Sequence, residues 1–175
     1  MLWSRASYRL MTNNSKNKMF QFDIIINQEY SAWENLSFDI EKVTRETILH
    51  ALENLHFSLK EGEVSVILAN DEMLHHLNKT YCHQDKSTNV LSFGYGKKAL
   101  DAGILGDIFL SFETVERESI KQKKTFHNHY IHLIIHGILH LLGYDHEYED
   151  DARKMENIEI EILESLNISN PYMAL

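Results

Sequence analysis

Three histidines in the last third of the chain have the spacing of a metal site: His136, His140 and His146, within HGILHLLGYDH. On a helix, residues four apart project from one face, so the first two imidazoles would lie about one turn apart. Gly143 suits the left-handed conformation that ends a helix, and the chain can then return His146 over that face. Three neutral imidazoles plus a water form the open, catalytic type of zinc site. The pattern predicts one zinc ion per chain on these residues.

The same spacing matches the metal-binding half of the metzincin pattern HExxHxxGxxH, but Gly137 stands where those peptidases have their general-base glutamate. Glycine cannot accept a proton, so a metallopeptidase is disfavoured unless another part of the fold supplies a base. Asp107, His132 and Asp145 are candidates to hydrogen-bond the ring nitrogens that face away from the metal. For the two aspartates a turn role is an equal alternative, and His132 also fits an ordinary packed histidine.

Composition is that of a globular protein, with 43% hydrophobic and 25% charged residues in a chain of 175, enough for one domain with a core. The single cysteine, Cys82, excludes an internal disulfide and a multi-cysteine zinc site, and it fits a reducing compartment. No apolar run approaches the roughly 20 residues that cross a bilayer. We therefore predict a cytoplasmic protein with no membrane partner.

Charge is distributed unevenly. The net charge of −9 argues against a protein that coats nucleic acid nonspecifically. Acidic residues crowd the segment 147–164, whereas Arg117, Lys121, Lys123 and Lys124 form a basic cluster. An RNA substrate would have to meet such a local patch rather than the overall field of the protein.

Periodicity predicts four strands, at residues 20–27, 63–69, 89–93 and 106–112, and about five helices, at 38–55, 71–81, 113–124, 127–142 and 150–166. Residues 94–103 are predicted to be a glycine-containing loop. Interleaved strands and helices predict an α/β (α+β) fold: a small mixed four-stranded sheet packed with helices. Residues 19–175 would form this single hydrolase domain. Residues 1–18 are predicted to be a disordered extension, with Met11 or Met19 as an alternative start.

Three blocks of the chain match the motifs of one protein family. The first is the histidine segment 136–146. The second begins at Asn78 and Tyr81, continues through Asp85 and ends in TNVLSF at 88–93, and the third is LGDI at 105–108. In these blocks and in their order the chain resembles the bacterial YbeY endoribonucleases, and the resemblance spans about residues 19–171.

The resemblance implies a zinc-dependent, single-strand-specific endoribonuclease that acts in 16S rRNA 3′-end maturation and ribosome quality control, with the ribosome or its small subunit as partner. Zinc would be held by the three histidines already named. Water activated by the metal would either attack phosphorus or deprotonate the ribose 2′-hydroxyl, and both routes stay open. Candidates to line the substrate cleft are Asn78, Tyr81, Lys86 and Ser92. The oligomeric state is not predicted.

One departure from the family pattern concerns phosphate binding. Cys82 occupies the position that usually holds an arginine, a side chain suited to bidentate phosphate contacts. How strongly the protein catalyses cleavage therefore stays open. Lys79, His83 or Lys86 could supply the phosphate contact that the arginine makes in the family. A zinc-stabilised ribosome-assembly factor that binds RNA without cutting it is the alternative function, ahead of a metallopeptidase.

Overall fold

A computed structural model describes residues 21–57 and 61–173. The extension predicted at residues 1–18 lies outside the described residues. The elements follow in the order β1 (Gln21–Gln28), a 3-10 turn (Ser31–Asn35), α1 (Ile40–Asn54), β2 (Glu61–Ala69), α2 (Asp71–Tyr81), β3 (Val90–Gly94), α3 (Lys97–Asp101), β4 (Ile104–Ser111), α4 (Phe112–Lys121), α5 (Phe126–Leu141) and α6 (Glu149–Ser165). Within these ranges, no helix is both long and apolar enough to cross a bilayer.

The four strands form one mixed sheet in the order β1-β2-β4-β3. β1, β2 and β4 run parallel, and β3 pairs antiparallel with β4 at the edge. The predicted mixed four-stranded sheet is confirmed. Its parallel part is joined through α1 and through the segment that contains α2, which are connections long enough for a crossover.

Helices cover both faces of this sheet. Along β2, Val64, Val66 and Leu68 join the larger core with α1, α5 and α6, while Ile67 and Ala69 pack with α2 on the other face. This alternation follows from the two-residue period of a strand. The apolar side of α5 is therefore committed to the core, and its remaining face carries the histidines.

Local capping sets most helix boundaries. The side chain of Asp39 accepts a hydrogen bond from the backbone N–H of Lys42 (3.0 Å), and that of Asn70 accepts one from Met73 (2.9 Å), so these residues cap α1 and α2. Two predictions were inexact. The loop predicted at 94–103 contains α3, whose five residues are too few for a helical period. Helix α4 ends three residues earlier than predicted, before Lys123 adopts a left-handed φ of 54°.

Candidate metal centre

The turn after α5 brings His146 back over the helix. Gly143 has a φ of +89° and donates its N–H to the carbonyl of His140 (3.0 Å), while Tyr144 donates to the carbonyl of Leu139 (3.0 Å). These two bonds make a Schellman motif, in which glycine relieves the steric cost of the left-handed residue. The predicted role of Gly143 as helix terminator is confirmed.

The three imidazoles converge on one point. One ring nitrogen of each histidine lies within 4.8 Å of those of the other two. The ring centroids of His136 and His140 are 4.6 Å apart, and that of His146 lies 5.4 and 4.9 Å from them respectively. Among the described residues, this is the group of histidine, cysteine and carboxylate side chains with the geometry to hold a metal ion.

Hydrogen bonds on the far side of two rings decide which nitrogens face the centre. The Nδ1–H of His136 donates to Oε1 of Glu159 (2.8 Å), and the Nδ1–H of His140 donates to the carbonyl of Tyr144 (3.1 Å). In a neutral imidazole the other nitrogen then carries a lone pair. The two Nε2 atoms face each other at 3.0 Å.

This donor set fits a cation. Two lone pairs at 3.0 Å repel unless a positive charge lies between them, and tetrahedral Zn–N bonds of about 2.0–2.1 Å place two ligand nitrogens about 3.3 Å apart. Burial, together with the neighbouring His136 and His146, lowers the pKa of His140 to about 4. His140 is therefore neutral at pH 7, as a metal ligand must be.

Glu159 of α6 is the buried support of the centre. Its side chain has no solvent exposure, and its carboxylate accepts hydrogen bonds from His136, from Nε2 of His132 (2.7 Å) and from the hydroxyl of Tyr172. Burial alone would raise the pKa of Glu159, but the two histidine bonds outweigh it and lower the pKa to about 2. The carboxylate is thus charged and fixes the orientation of the His136 ring.

The sequence did not single out Glu159 or Tyr172. Glu159 lies on an amphipathic helix among other acidic residues, and Tyr172 follows the last helix. One signal was available. Glu159 follows Ile158 and precedes Ile160, Ile162 and Leu163, so helical spacing puts it beside the buried face rather than on the acidic one. A carboxylate in that position needs a buried partner.

The three predicted supporting residues have different surroundings. His132 reaches the centre through Glu159, which it shares with His136. Asp145 accepts a hydrogen bond from the backbone N–H of His146 (2.7 Å), so it shapes the turn, and it also lines the cavity beside the histidines. Asp107 accepts a hydrogen bond from the hydroxyl of Tyr95, and the described residues show no bond from it to a histidine of the centre.

An open cavity of about 500 Å³ lies over the histidines, and we call it the metal cavity. One wall is the segment that leads into β3 together with β3 itself, and the other is the end of α5 with its turn. The lining residues are Thr88, Asn89, Val90, Leu91, Ser92, His136, His140, Gly143, Tyr144, Asp145 and His146. The metal cavity therefore gives a substrate direct access to the open side of the three imidazoles.

Of the four residues predicted to line the cleft, Ser92 does so. Asn78 is 5% exposed and donates from its side-chain amide to the carbonyl of Lys86 (2.9 Å), so it anchors the loop instead. Tyr81 is 65% exposed, with its ring edge-on to Phe93. Lys86 and Cys82 are exposed and are likewise not among the lining residues.

Gly137 lies where α5 touches the sheet most closely. A Cβ atom at this position would meet two carbons of Ile108 on β4 at 3.0 and 3.1 Å and the hydroxyl oxygen of Ser92 on β3 at 3.1 Å. The position occupied by glutamate in the metzincin pattern therefore faces the sheet, and a side chain there would have to displace Ile108 and Ser92. This geometry supplies the physical reason for disfavouring a peptidase of that type.

We expect Gly137→Ala to lower the free energy of unfolding by about 1 kcal/mol. Overpacking against β3 and β4 costs about 1–3 kcal/mol, and the higher helix propensity of alanine returns about 1 kcal/mol. Urea unfolding of both proteins in chelator measures the difference without a contribution from bound metal. A variant more stable than the wild type would mean that the sheet moves away and that the close approach is not required.

The fold and the histidine centre together define an α/β protein of the metal-dependent hydrolase type. The family model described as Endoribonuclease YbeY matches residues 24–167 of the chain. The chain therefore belongs to the YbeY family of endoribonucleases, as the three sequence blocks predicted.

Individual relatives agree with this assignment. The chain is 50% identical over 113 residues to the endoribonuclease YbeY of Ruthia magnifica, covering 64% of this chain and 78% of that protein. It is 42% identical over 140 residues to the endoribonuclease YbeY of Bradyrhizobium diazoefficiens, covering 77% and 76% respectively. The solution structure of TM1509 from Thermotoga maritima has a similar fold, with a TM-score of 0.54 and 25% identity over 82% of this chain and 91% of that one.

Proposed function

We propose that this protein is a zinc-dependent endoribonuclease that hydrolyses phosphodiester bonds of single-stranded RNA. The observation that carries the proposal is the convergence of three imidazoles, two of them with facing lone pairs, on the floor of the open metal cavity. Membership of the YbeY family supports RNA as the substrate.

In this proposal His136, His140 and His146 hold the metal. Zinc held there would supply Lewis acidity toward a phosphate oxygen and would activate water for hydrolysis near neutral pH. Glu159 keeps the Nε2 lone pair of His136 directed at the centre, and the carbonyl of Tyr144 does the same for His140. Ser92 has a buried hydroxyl without a hydrogen-bond partner among the described residues, so it is a candidate to bond the substrate.

The biological substrate in this proposal is the 3′ end of precursor 16S rRNA, with a further role in ribosome quality control in the cytoplasm. The names of the relatives state the endoribonuclease activity, and the sequence resemblance implies the ribosomal substrate. Zinc is proposed from the three-imidazole donor set, although nickel and cobalt bind the same ligands. Elemental analysis of the purified protein identifies the metal.

A cleavage assay with and without a chelator tests the proposal. We expect labelled single-stranded RNA and a precursor 16S fragment to be cut, chelation to abolish cutting, and added zinc to restore it, while casein stays intact. Digestion of casein without RNA cleavage would instead identify a peptidase. RNA binding without cleavage would identify the non-cleaving assembly factor, and cleavage that survives metal removal would exclude the metal-dependent mechanism.

A further inference from the structure

Two further openings adjoin the metal cavity, one after the other. A second opening of about 370 Å³, the middle cavity, shares Asn89, Val90 and His136 with the metal cavity. A third of about 770 Å³, the lysine cavity, shares five residues with the middle cavity: Gln122, Lys124, His132, Pro171 and Tyr172. Because consecutive openings share lining residues they are neighbours, and we call the row of three the groove.

Helix α5 runs along the whole groove. His140 lines the metal cavity, His136 lines the metal and middle cavities, His132 lines the middle and lysine cavities, and Thr125 lines the lysine cavity. From His140 back to Thr125 the chain covers about 22 Å at about 1.5 Å per residue. That length matches about six nucleotides of a stacked single strand at about 3.4 Å each.

Positive charge is concentrated at the far end of this groove. Lys121, Lys123 and Lys124 line the lysine cavity. Lys121 and Lys123 are exposed and form no salt bridge within the described ranges. The Lys124 ammonium donates to two uncharged oxygens, the side-chain oxygen of Gln122 (2.6 Å) and the carbonyl of Pro171 (2.8 Å). These charges are thus available to an anionic ligand.

Carboxylates follow the last histidine of the metal centre along the chain. Directly after His146, the exposed segment 147–151 carries four carboxylates. Arg153 pairs with two of them, Glu149 (3.4 Å) and Asp150 (3.2 Å), and Glu147 and Asp151 form no salt bridge within the described residues. Glu118 lines the middle cavity, but its carboxylate accepts hydrogen bonds from Asn89 (2.8 Å) and His129 (2.9 Å). A polyanion that reaches the metal cavity is therefore repelled on the acidic side and attracted toward the lysines.

An aromatic ring stands between the metal cavity and the lysines. Tyr172 lines both the middle and the lysine cavities, is 44% exposed, and lies edge-on to His132 with ring centroids 5.7 Å apart. Its hydroxyl is bonded to Glu159, which fixes the ring. A basic groove with a fixed aromatic face is the arrangement that binds single-stranded nucleic acid, through backbone phosphates and base stacking.

We propose that this groove binds the RNA strand on one side of the cleaved bond, with backbone phosphates at Lys121, Lys123 and Lys124 and a base on Tyr172. This inference rests on the proposed function, because it assigns a path to the substrate of the same centre. It makes cleavage dependent on RNA length, since an oligonucleotide confined to the metal cavity cannot reach the lysines.

The test compares Lys121→Glu/Lys123→Glu with the matched pair Lys97→Glu/Lys98→Glu, which makes the same charge change on exposed residues of α3 outside the groove. We expect the groove variant to lower kcat/KM for a twelve-nucleotide single strand at least tenfold, through KM. Cleavage of a trinucleotide should change less than twofold. For binding of the longer strand, the slope of log K against log salt concentration should become less steep by about 1.4, because two phosphate contacts are lost at about 0.7 each.

The outcomes separate the two proposals. If the wild type cuts both RNAs and the groove variant has unchanged KM and salt slope, the groove proposal is overturned and the nuclease stands. An equal fall in kcat/KM in the α3 variant would also overturn the groove proposal, because the effect would then come from the overall charge of the protein. If the wild type neither binds nor cuts either RNA, the proposed function fails and the groove proposal falls with it. Unfolding curves of both variants verify that the fold is intact.

Discussion

His140→Ala is expected to reduce RNA cleavage by at least about 10³-fold and to abolish stoichiometric zinc binding. The Nε2 of His140 lies 3.0 Å from that of His136, so its loss removes a central member of the three-imidazole set. A metal ion stabilises the transition state by several kcal/mol, and about 4 kcal/mol corresponds to 10³-fold in rate. Single-turnover cleavage of a labelled RNA measures the loss, and elemental analysis measures the metal content.

His76→Ala is the matched control, because His76 is exposed on α2 and does not line the metal cavity. Zinc should raise the unfolding temperature of the wild type and of this control, since a ligand that binds the native state stabilises it. It should leave that of His140→Ala unchanged. A His140→Ala protein that cleaves at the wild-type rate would refute the proposed mechanism. If His140→Ala is unfolded in chelator, the same measurements are made on His140→Gln.

Local geometry explains which parts of the centre could be predicted from sequence. The spacing of His136 and His140 and the glycine at 143 act within one helix and its turn, so helical period and left-handed φ were sufficient. The contact between Glu159 and His136 depends on how α6 packs across α5, and no local period encodes that packing. The supporting carboxylate was therefore missed while the imidazoles were found.

In the fold, too, features set by local sequence could be predicted, whereas features set by connections between elements could not be predicted from periodicity. Strand positions follow from alternation within each strand, and all four were predicted to within two residues. Strand direction depends on the connection. The link at residues 95–103 between β3 and β4 is shorter than the dozen or more residues of a parallel crossover, so the antiparallel pair is the consistent arrangement. The length of the connecting loop therefore indicates strand direction, which residue periodicity alone does not.

Glu159→Gln is expected to weaken zinc binding about 10- to 100-fold, the usual effect of losing a hydrogen-bond partner of a ligand histidine. The carboxylate accepts from three donors, on His132, His136 and Tyr172. Glutamine has one acceptor oxygen and a donor amide. Its amide either faces another donor or turns His136 into the tautomer with a hydrogen on Nε2, which cannot bind metal. We also expect a loss of about 1–3 kcal/mol in the free energy of unfolding.

Competition with a chromophoric zinc chelator measures the affinity, and nitrogen-15 spectra of the imidazoles report the His136 tautomer directly. Glu161→Gln is the matched control, since Glu161 lies on the same helix two residues further on and is exposed. A purely structural role for Glu159 predicts lower stability with the tautomer and the zinc affinity unchanged, and that result would remove the positioning role. A changed tautomer with weakened affinity, in a variant still folded in chelator, is the combination that only orientation of the His136 ring by the buried carboxylate produces.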